Sequence, residues 1–462
     1  MQAEYLQMKA MSSNFVSFDR HTPYLLSPSL QDWLPEDHLA RFVVDVVTQL
    51  DLKPIKKMYA GRGSQAYHPE MLLALLFYGY ATGVYSSRKI EQATYDSVAF
   101  RFIAANTHPD HDTIATFRKR FLDKLHPLFV QILMLAHEMG FLKLGKVSLD
   151  GTKVKANASK HRALSWGHAC KLEEQLKAEV NELLELASQA DTIKIPDGMN
   201  VPEEISRRED RLVAIAEAKE KIEQRAAERY ATEKQKYDDK VATRKAKAEE
   251  TGKKPRGRTP QPPKPGPCKK DQVNLTDEES RIMPASGNGF EQAYNAQAAV
   301  DLGTMLIVES HVSQSPNDKQ EILPTVEGLN SLPEVLGVVD TVVADTGYFS
   351  ENNVDICNSN DMEPLIAVGR EKHNQPIQNR FNQPDPLTED ADQVSKMRHR
   401  LKTKEGRQIY AKRKSTVEPV FGIIKQVMRF RQFLLRGIES VQGEWSLVAI
   451  AWNLKRMFTL SR

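Results

Sequence analysis

The chain has 462 residues, a formal net charge of +3 at neutral pH and 40% hydrophobic residues. That length suggests roughly two to four domains of about 100–200 residues each. The apolar share excludes a chain disordered throughout, and so small a net charge does not by itself announce a nucleic-acid partner. The charge is unevenly spread, however. Between Lys396 and Arg436 there are thirteen Lys or Arg and only two acids, Glu405 and Glu418. A stretch of that kind can bind an anionic polymer by releasing counterions from its phosphates. Cys170, Cys268 and Cys357 are far apart and form no CxxC pair. A disulfide framework or a zinc site is therefore not expected, and a reducing cytoplasm fits. The opening MQAEYLQMKAMSSN has no apolar core of the secretory kind, and MLLALLFYGY is too short to span a bilayer. A soluble intracellular protein with no membrane partner is expected.

Residues 1–20 read as a flexible start. Residues 21–142 read as a helical domain, because apolar residues recur at three and four in LARFVVDVVTQL and PLFVQILMLAHEMG. Pro69 can open a helix, and Gly83 with Ser86–Ser87 can punctuate the next turn. PDHDTIATFRKRF offers capping residues and then a helix carrying Arg118, Lys119 and Arg120. Short helices with basic faces suit a helix-turn-helix-like DNA module, and equally a plain bundle with a solvated basic face.

At 145–150 the period changes. KVSLD reads as a short strand ending in Asp150. AYNAQAAVD, TMLIVESHVS and GVVDTVVAD follow as strands, with EILPTVEGLNSL as a helix before the last. Asp345 stands at the end of its strand, and Gly347 is expected to give a sharp turn. Residues 161–251 form a charged helical insertion. Ile205, Leu212 and Ile222 at heptad-like intervals suggest two antiparallel helices packing on each other or on a partner. Residues 252–284 form a Pro-rich basic linker and return segment. Arg256 and Arg258 in its PRGR core could enter a narrow minor groove, though a solvated linker serves as well. EWSLVAIAWNLKRM reads as an amphipathic closing helix, with Trp445 and Trp452 as core residues.

Phosphodiester cleavage needs an activated oxygen nucleophile and charge relief at the leaving oxygen, which two divalent cations can supply. Mg²⁺ prefers hard oxygen ligands, so the protein contributes carboxylates. Asp150, Asp345 and Glu418 are candidates, the last just ahead of Pro419 at a helix start. Each has an ordinary rival reading as a turn, cap or surface residue. Asp301 and Asp340 are competing strand-end acids that periodicity leaves open.

VSLDGTKVKANAS, VVADTGYFSENN and YAKRKSTVEPVFGIIKQVMRFRQFLLRG resemble the three catalytic blocks of bacterial insertion-sequence transposases of the DDE class. YHPEMLLALLFYGYATGVYSSRKIEQA and PDHDTIATFRKRF resemble the family's N-terminal domain, and NLTDEESRIM with AYNAQAAVD resembles the segment resuming after the insertion. The resemblance implies an α/β, RNase H-like catalytic core, a mixed sheet flanked by helices. It would comprise residues 143–160 and 285–462, split by the helical insertion and preceded by the all-α DNA-binding domain. It implies Asp150, Asp345 and Glu418 as catalytic ligands of two Mg²⁺ (or Mn²⁺). The substrates would be double-stranded DNA, as element terminal repeats and target, with a homodimer on DNA by analogy. The family's Y-x2-R-x3-E-x6-K signature is met by Glu418 and Lys425. Tyr410 and Arg413 keep the Tyr–Arg spacing but lie one residue too far from Glu418, and Lys414 holds the expected Arg place. Either Arg413 or Lys414 could play the basic role. Arg429, Arg431 and Arg436 are expected on DNA backbone, and Asn295 and Gln297, with Tyr294, near the site. A transposase-derived regulator without activity and a structure-specific nuclease are the rival readings.

Overall fold

A computed structural model describes residues 29–59, 66–188, 200–252, 257–285, 289–369, 382–387 and 391–462. Short helices occupy the first segment of the chain. Pro69 stands at the first turn of helix Pro69–Thr82, where its missing N–H costs nothing, and Gly83 ends it at φ 83°. The Asp110 side chain accepts from Thr113 N at 2.8 Å and caps helix His111–Arg120. The punctuation expected from the sequence is thus met in both places.

The strands are β1 (Leu144–Lys155), β2 (Ala163–Ser165), β3 (Gln272–Asn274), β4 (Arg281–Ala285), β5 (Gly289–Asp301), β6 (Ile307–Ser313), β7 (Gly337–Ala344) and β8 (Glu363–Ile366). The main sheet runs β4-β5-β1-β7-β8, and β6 also pairs with β5. β1 lies antiparallel to β5 and parallel to β7, and β7 lies parallel to β8. Helix Glu351–Ser359 makes the crossover that the β7–β8 parallel pair requires. β1 is longer than expected: it does not stop at Asp150 but continues to Lys155, paired with β5 throughout. Gly151 is no terminator. A Cβ there would lie 2.2 Å from Gln297 Nε2 and 2.8 Å from Asp318 Oδ1. The glycine makes room for two side chains laid across the strand.

The insertion has a core of its own. Helices Trp166–Ser188 and Val201–Thr251 run antiparallel, with Lys219 on Glu173 and Arg208 on Glu179, each at 2.7 Å. Leu176, Ile215, Ala218 and Ile222 are buried between them and against Leu164 of β2 and Val273 of β3. The second helix continues well past this core with exposed charged side chains.

One larger core runs without a break from the first helices into the sheet. Its centre is helix Ile438–Leu460, which packs on β6 and on helices Pro69–Thr82 and Leu125–Glu138. Expected to be amphipathic, this helix is instead buried on nearly every side from Val441 to Met457. The reason is that sheet and helices enclose it from both sides. Trp445 and Trp452 are core residues, donating to the Gln297 and Met305 carbonyls. Among the described residues no helix is long and apolar enough to cross a membrane.

Candidate active site

The last β1–β7 pair is Ser148 with Val343. Two residues further along both parallel strands bring Asp150 beside Asp345, where β7 ends and β1 continues paired with β5 on its other edge. A strand that outruns its neighbour opens a notch in the sheet, and both carboxylates stand at it. The third acid comes from far along the chain. Glu418 lies in the first turn of helix Val417–Gln426, which packs on β1 and β5.

Arg413 ties the three together. Its Nη2 lies 3.2 Å from Asp150 Oδ2 and 3.7 Å from Asp345 Oδ2, and its Nη1 lies 2.8 Å from Glu418 Oε1. Lys414, its rival, is exposed. The one-residue slip in the signature is absorbed locally. Residues Lys412–Ser415 form a tight 3-10 turn, and Thr416 leaves helical geometry at φ −118° and ψ −83° before the helix starts. That junction takes up the extra residue and still delivers the guanidinium to Glu418. Tyr410 is half-buried, and burial raises its phenol above the ordinary range.

The site is short of positive charge. Burial pushes the Asp150 carboxyl up to about 6; Arg413 and a bond from Gly151 N oppose this, while Asp345 and Asp318 add to it. Among the described residues no three His, Cys, Asp or Glu side chains gather closely enough to hold one ion as they stand. The carboxylates meet the guanidinium rather than each other. The donors nevertheless suit a hard divalent cation, since all are carboxylate oxygens; on the neighbouring strand β5 the fully buried Asn295 Oδ1 has no hydrogen-bond partner.

Asp318, which sequence reasoning missed, completes this end of the sheet. Its Oδ1 accepts from Asn295 Nδ2 at 2.6 Å, Gln297 Nε2 at 2.9 Å and Lys153 Nζ at 3.2 Å. Gln297 Oε1 in turn accepts from the Tyr348 hydroxyl. Asn295 and Gln297 therefore stand beside Asp318, whereas the Tyr294 hydroxyl turns away to Asp277. Gly347 does not use a left-handed turn. A Cβ there would lie 2.9 Å from Asp345 Oδ1 and 3.5 Å from Asp318 Oδ2, so it is space that the glycine supplies.

The competing acids have other tasks. Asp301 Oδ2 accepts from Gly303 N, Thr304 N and Thr304 Oγ1 and caps the β5–β6 turn. Asp340 is largely exposed and sits 3.6 Å from Lys146.

The expected DNA-binding residues separate into groups. Lys425 follows Glu418 on one helix face, and its half-buried ammonium donates to the Lys153 carbonyl at 2.9 Å. Burial, and then Lys153, lower its pKa. Arg429, Arg431 and Arg436 are exposed just beyond. Arg436 lines a cleft of about 590 Å³ with Asn157, Arg162, Thr276 and Gln432, where β1 leads out of the site. Arg118 is a correction. It turns inward, donating to the Tyr80 hydroxyl and the Tyr85 carbonyl, because the buried Glu444 beside Tyr80 demands a cation. Lys119 and Arg120 remain exposed, Arg120 stacking on Tyr59. Arg258 is exposed, and Arg256 lies outside the described residues.

No curated relative and no solved structure matches the chain. Two protein families do: one described as "Transposase domain (DUF772)" over residues 28–120, and one described as "Transposase DDE domain" over residues 258–454. Together these stretches span more than half of the chain. It belongs to the insertion-sequence transposases of the DDE class.

Proposed function

We propose that this transposase hydrolyses DNA at the ends of its element and transfers the freed 3′ hydroxyl to target DNA. One observation carries the reading. Three acids from distant segments, Asp150, Asp345 and Glu418, converge on the single guanidinium of Arg413 at a notch in the sheet. Like charges gathered this way destabilise a fold unless they serve a cation. We take the mixed sheet, split by the insertion, as an RNase H-like core, and the helices before it as the DNA-binding domain.

Two Mg²⁺ (or Mn²⁺) held by these acids would activate the attacking oxygen and neutralise the leaving one. The chain's own residues do the rest. Arg413 holds the carboxylates together before the cations arrive, and is then placed to take a phosphate oxygen with its fork of donors. Lys425, anchored on the β1 backbone, sets a cation beside the same phosphate. Arg429, Arg431 and Arg436 hold DNA backbone along the cleft leading away from Lys155, and exposed Lys414 adds charge at the rim. Arg258 and Lys119 with Arg120 would touch DNA further out. Synapsis of two ends implies a homodimer on DNA.

The test is incubation of the full chain with a supercoiled plasmid carrying the element ends. Mg²⁺-dependent cutting at those ends and joining of a precleaved end are expected. Tight binding with no cutting would make the chain a regulator, and cutting without joining would make it a nuclease.

A further inference from the structure

We propose that Asp318 is a fourth carboxylate of the cation site, with Oδ1 fixed by its neighbours and Oδ2 left to share a divalent cation with Asp345. The inference rests on the function proposed above. It starts from an asymmetry in the Asp318 side chain. Oδ1 receives three donors from three residues, Lys153, Asn295 and Gln297. Oδ2 receives none of these and faces Gly347, across from Asp345 Oδ1. A carboxylate saturated on one oxygen and open on the other is oriented rather than merely neutralised. Carboxylate ligands are typically held by such outer hydrogen bonds.

Two further observations point to a ligand. Gly151 and Gly347 flank the carboxylate: a Cβ on Gly151 would lie 2.8 Å from Asp318 Oδ1, and one on Gly347 would crowd Asp345 Oδ1 at 2.9 Å while just touching Asp318 Oδ2. The space is kept for Asp318 on one side and for Asp345 on the other. The Asn295 carboxamide also donates to Asp318 through Nδ2, while its fully buried Oδ1 has no partner. A buried acceptor left open on an amide that holds a carboxylate calls for a donor or a cation, or for water held by one.

A purely structural role predicts something different. If Asp318 served only to neutralise Lys153, the two residues would be equivalent and removing either would do the same harm. If Asp318 binds a cation, Lys153 competes with that cation for the carboxylate. Removing Lys153 then leaves binding unchanged or tighter.

The experiment titrates Mn²⁺ into the full chain without DNA, following free Mn²⁺ by electron paramagnetic resonance. Asp318→Asn should weaken Mn²⁺ binding at least tenfold, in the range expected for groups around a metal. Lys153→Met should bind Mn²⁺ as tightly as the unaltered chain or more so, and it tests the proposal even if Asp318→Asn fails to fold. Unaltered binding by Asp318→Asn, or a tenfold loss in Lys153→Met, overturns the inference. Asp345→Asn separates the two readings. Wild-type binding in that variant breaks the proposed function itself. Loss there with retention in Asp318→Asn breaks only the fourth-carboxylate inference.

Discussion

Two clusters of buried charge, around Glu444 and around Arg413, are built on opposite plans. Glu444 is fully buried in helix Ile438–Leu460. Its carboxylate accepts from the Tyr80 hydroxyl at 2.9 Å, Leu434 N at 2.9 Å and Leu435 N at 3.0 Å, and Arg118 reaches the same hydroxyl. Both carboxylate oxygens find donors, and Arg118 supplies the balancing charge from beyond the phenol. Around Arg413 the balance is reversed. Three carboxylates share one guanidinium, the Glu418 side chain is 47% exposed and the Asp345 side chain 41%. The closed cluster joins the first helices to the closing helix and to the loop ahead of it. The open one invites something to complete it. Buried charge alone therefore does not mark a functional site; the unmet part of it does.

The comparison can be broken at the closed cluster first, where the effect should be largest. Glu444→Ala leaves two backbone N–H groups and a phenol without their acceptor, and the buried Arg118 without the charge that balances it. A loss of about 3–5 kcal/mol in urea unfolding is expected; a loss under about 1 kcal/mol would mean that the cluster is not closed.

A further buried cluster gives a pH test. His311 lies 3.1 Å from both Glu309 and Glu321. Burial alone would lower its pKa, but the two carboxylates push it up to about 9. A raised histidine contributes stability in full below its unfolded value near 6.5 and loses it as pH rises through about 9. Stability should therefore fall on the order of 3 kcal/mol between those limits, measured by urea midpoints across pH. The same fall in His311→Gln would assign it elsewhere.

The open cluster should respond to cations, with a smaller effect. The Asp150 carboxyl is raised to about 6, so without cations the stability it contributes is present below its unfolded value and lost as pH rises through about 6. Mg²⁺ competes with that proton. It should raise the melting temperature by a few degrees at pH 8, about 1 kcal/mol, and hardly at pH 5. Equal shifts at both pH values would place the bound cation elsewhere.

Much of this was legible in the sequence, for reasons that differ by residue. Pro69, Gly83 and Asp110 act through the local backbone, so their positions alone announce helix ends. Asn295 and Gln297 are two apart in a strand and so share a face. Asp318 could not be read this way. It lies in SQSPNDKQE, a stretch whose composition says only turn, and its importance comes from donors on two paired strands. Gly347 looked like a chain-bending residue; it is needed for the space beside Asp345 Oδ1, as Gly151 is for Gln297 and Asp318. Arg118 read as a surface cation because its partner Glu444 is more than three hundred residues away. Arg413 and Lys414 stayed undecided because spacing assumes a continuous helix, and the 3-10 turn at Lys412–Ser415 interrupts it.

The most direct measurement of the central claim compares cutting with binding on DNA carrying the element ends, in Mg²⁺, for Asp150→Asn, Asp345→Asn, Glu418→Gln and Asp340→Asn. The first three should lose cutting by roughly a thousandfold, ~4 kcal/mol in barrier, while binding DNA as before, and Asp340→Asn should cut normally. Cutting that survives Asp345→Asn or Glu418→Gln, or fails in Asp340→Asn, would contradict the assignment of these three acids.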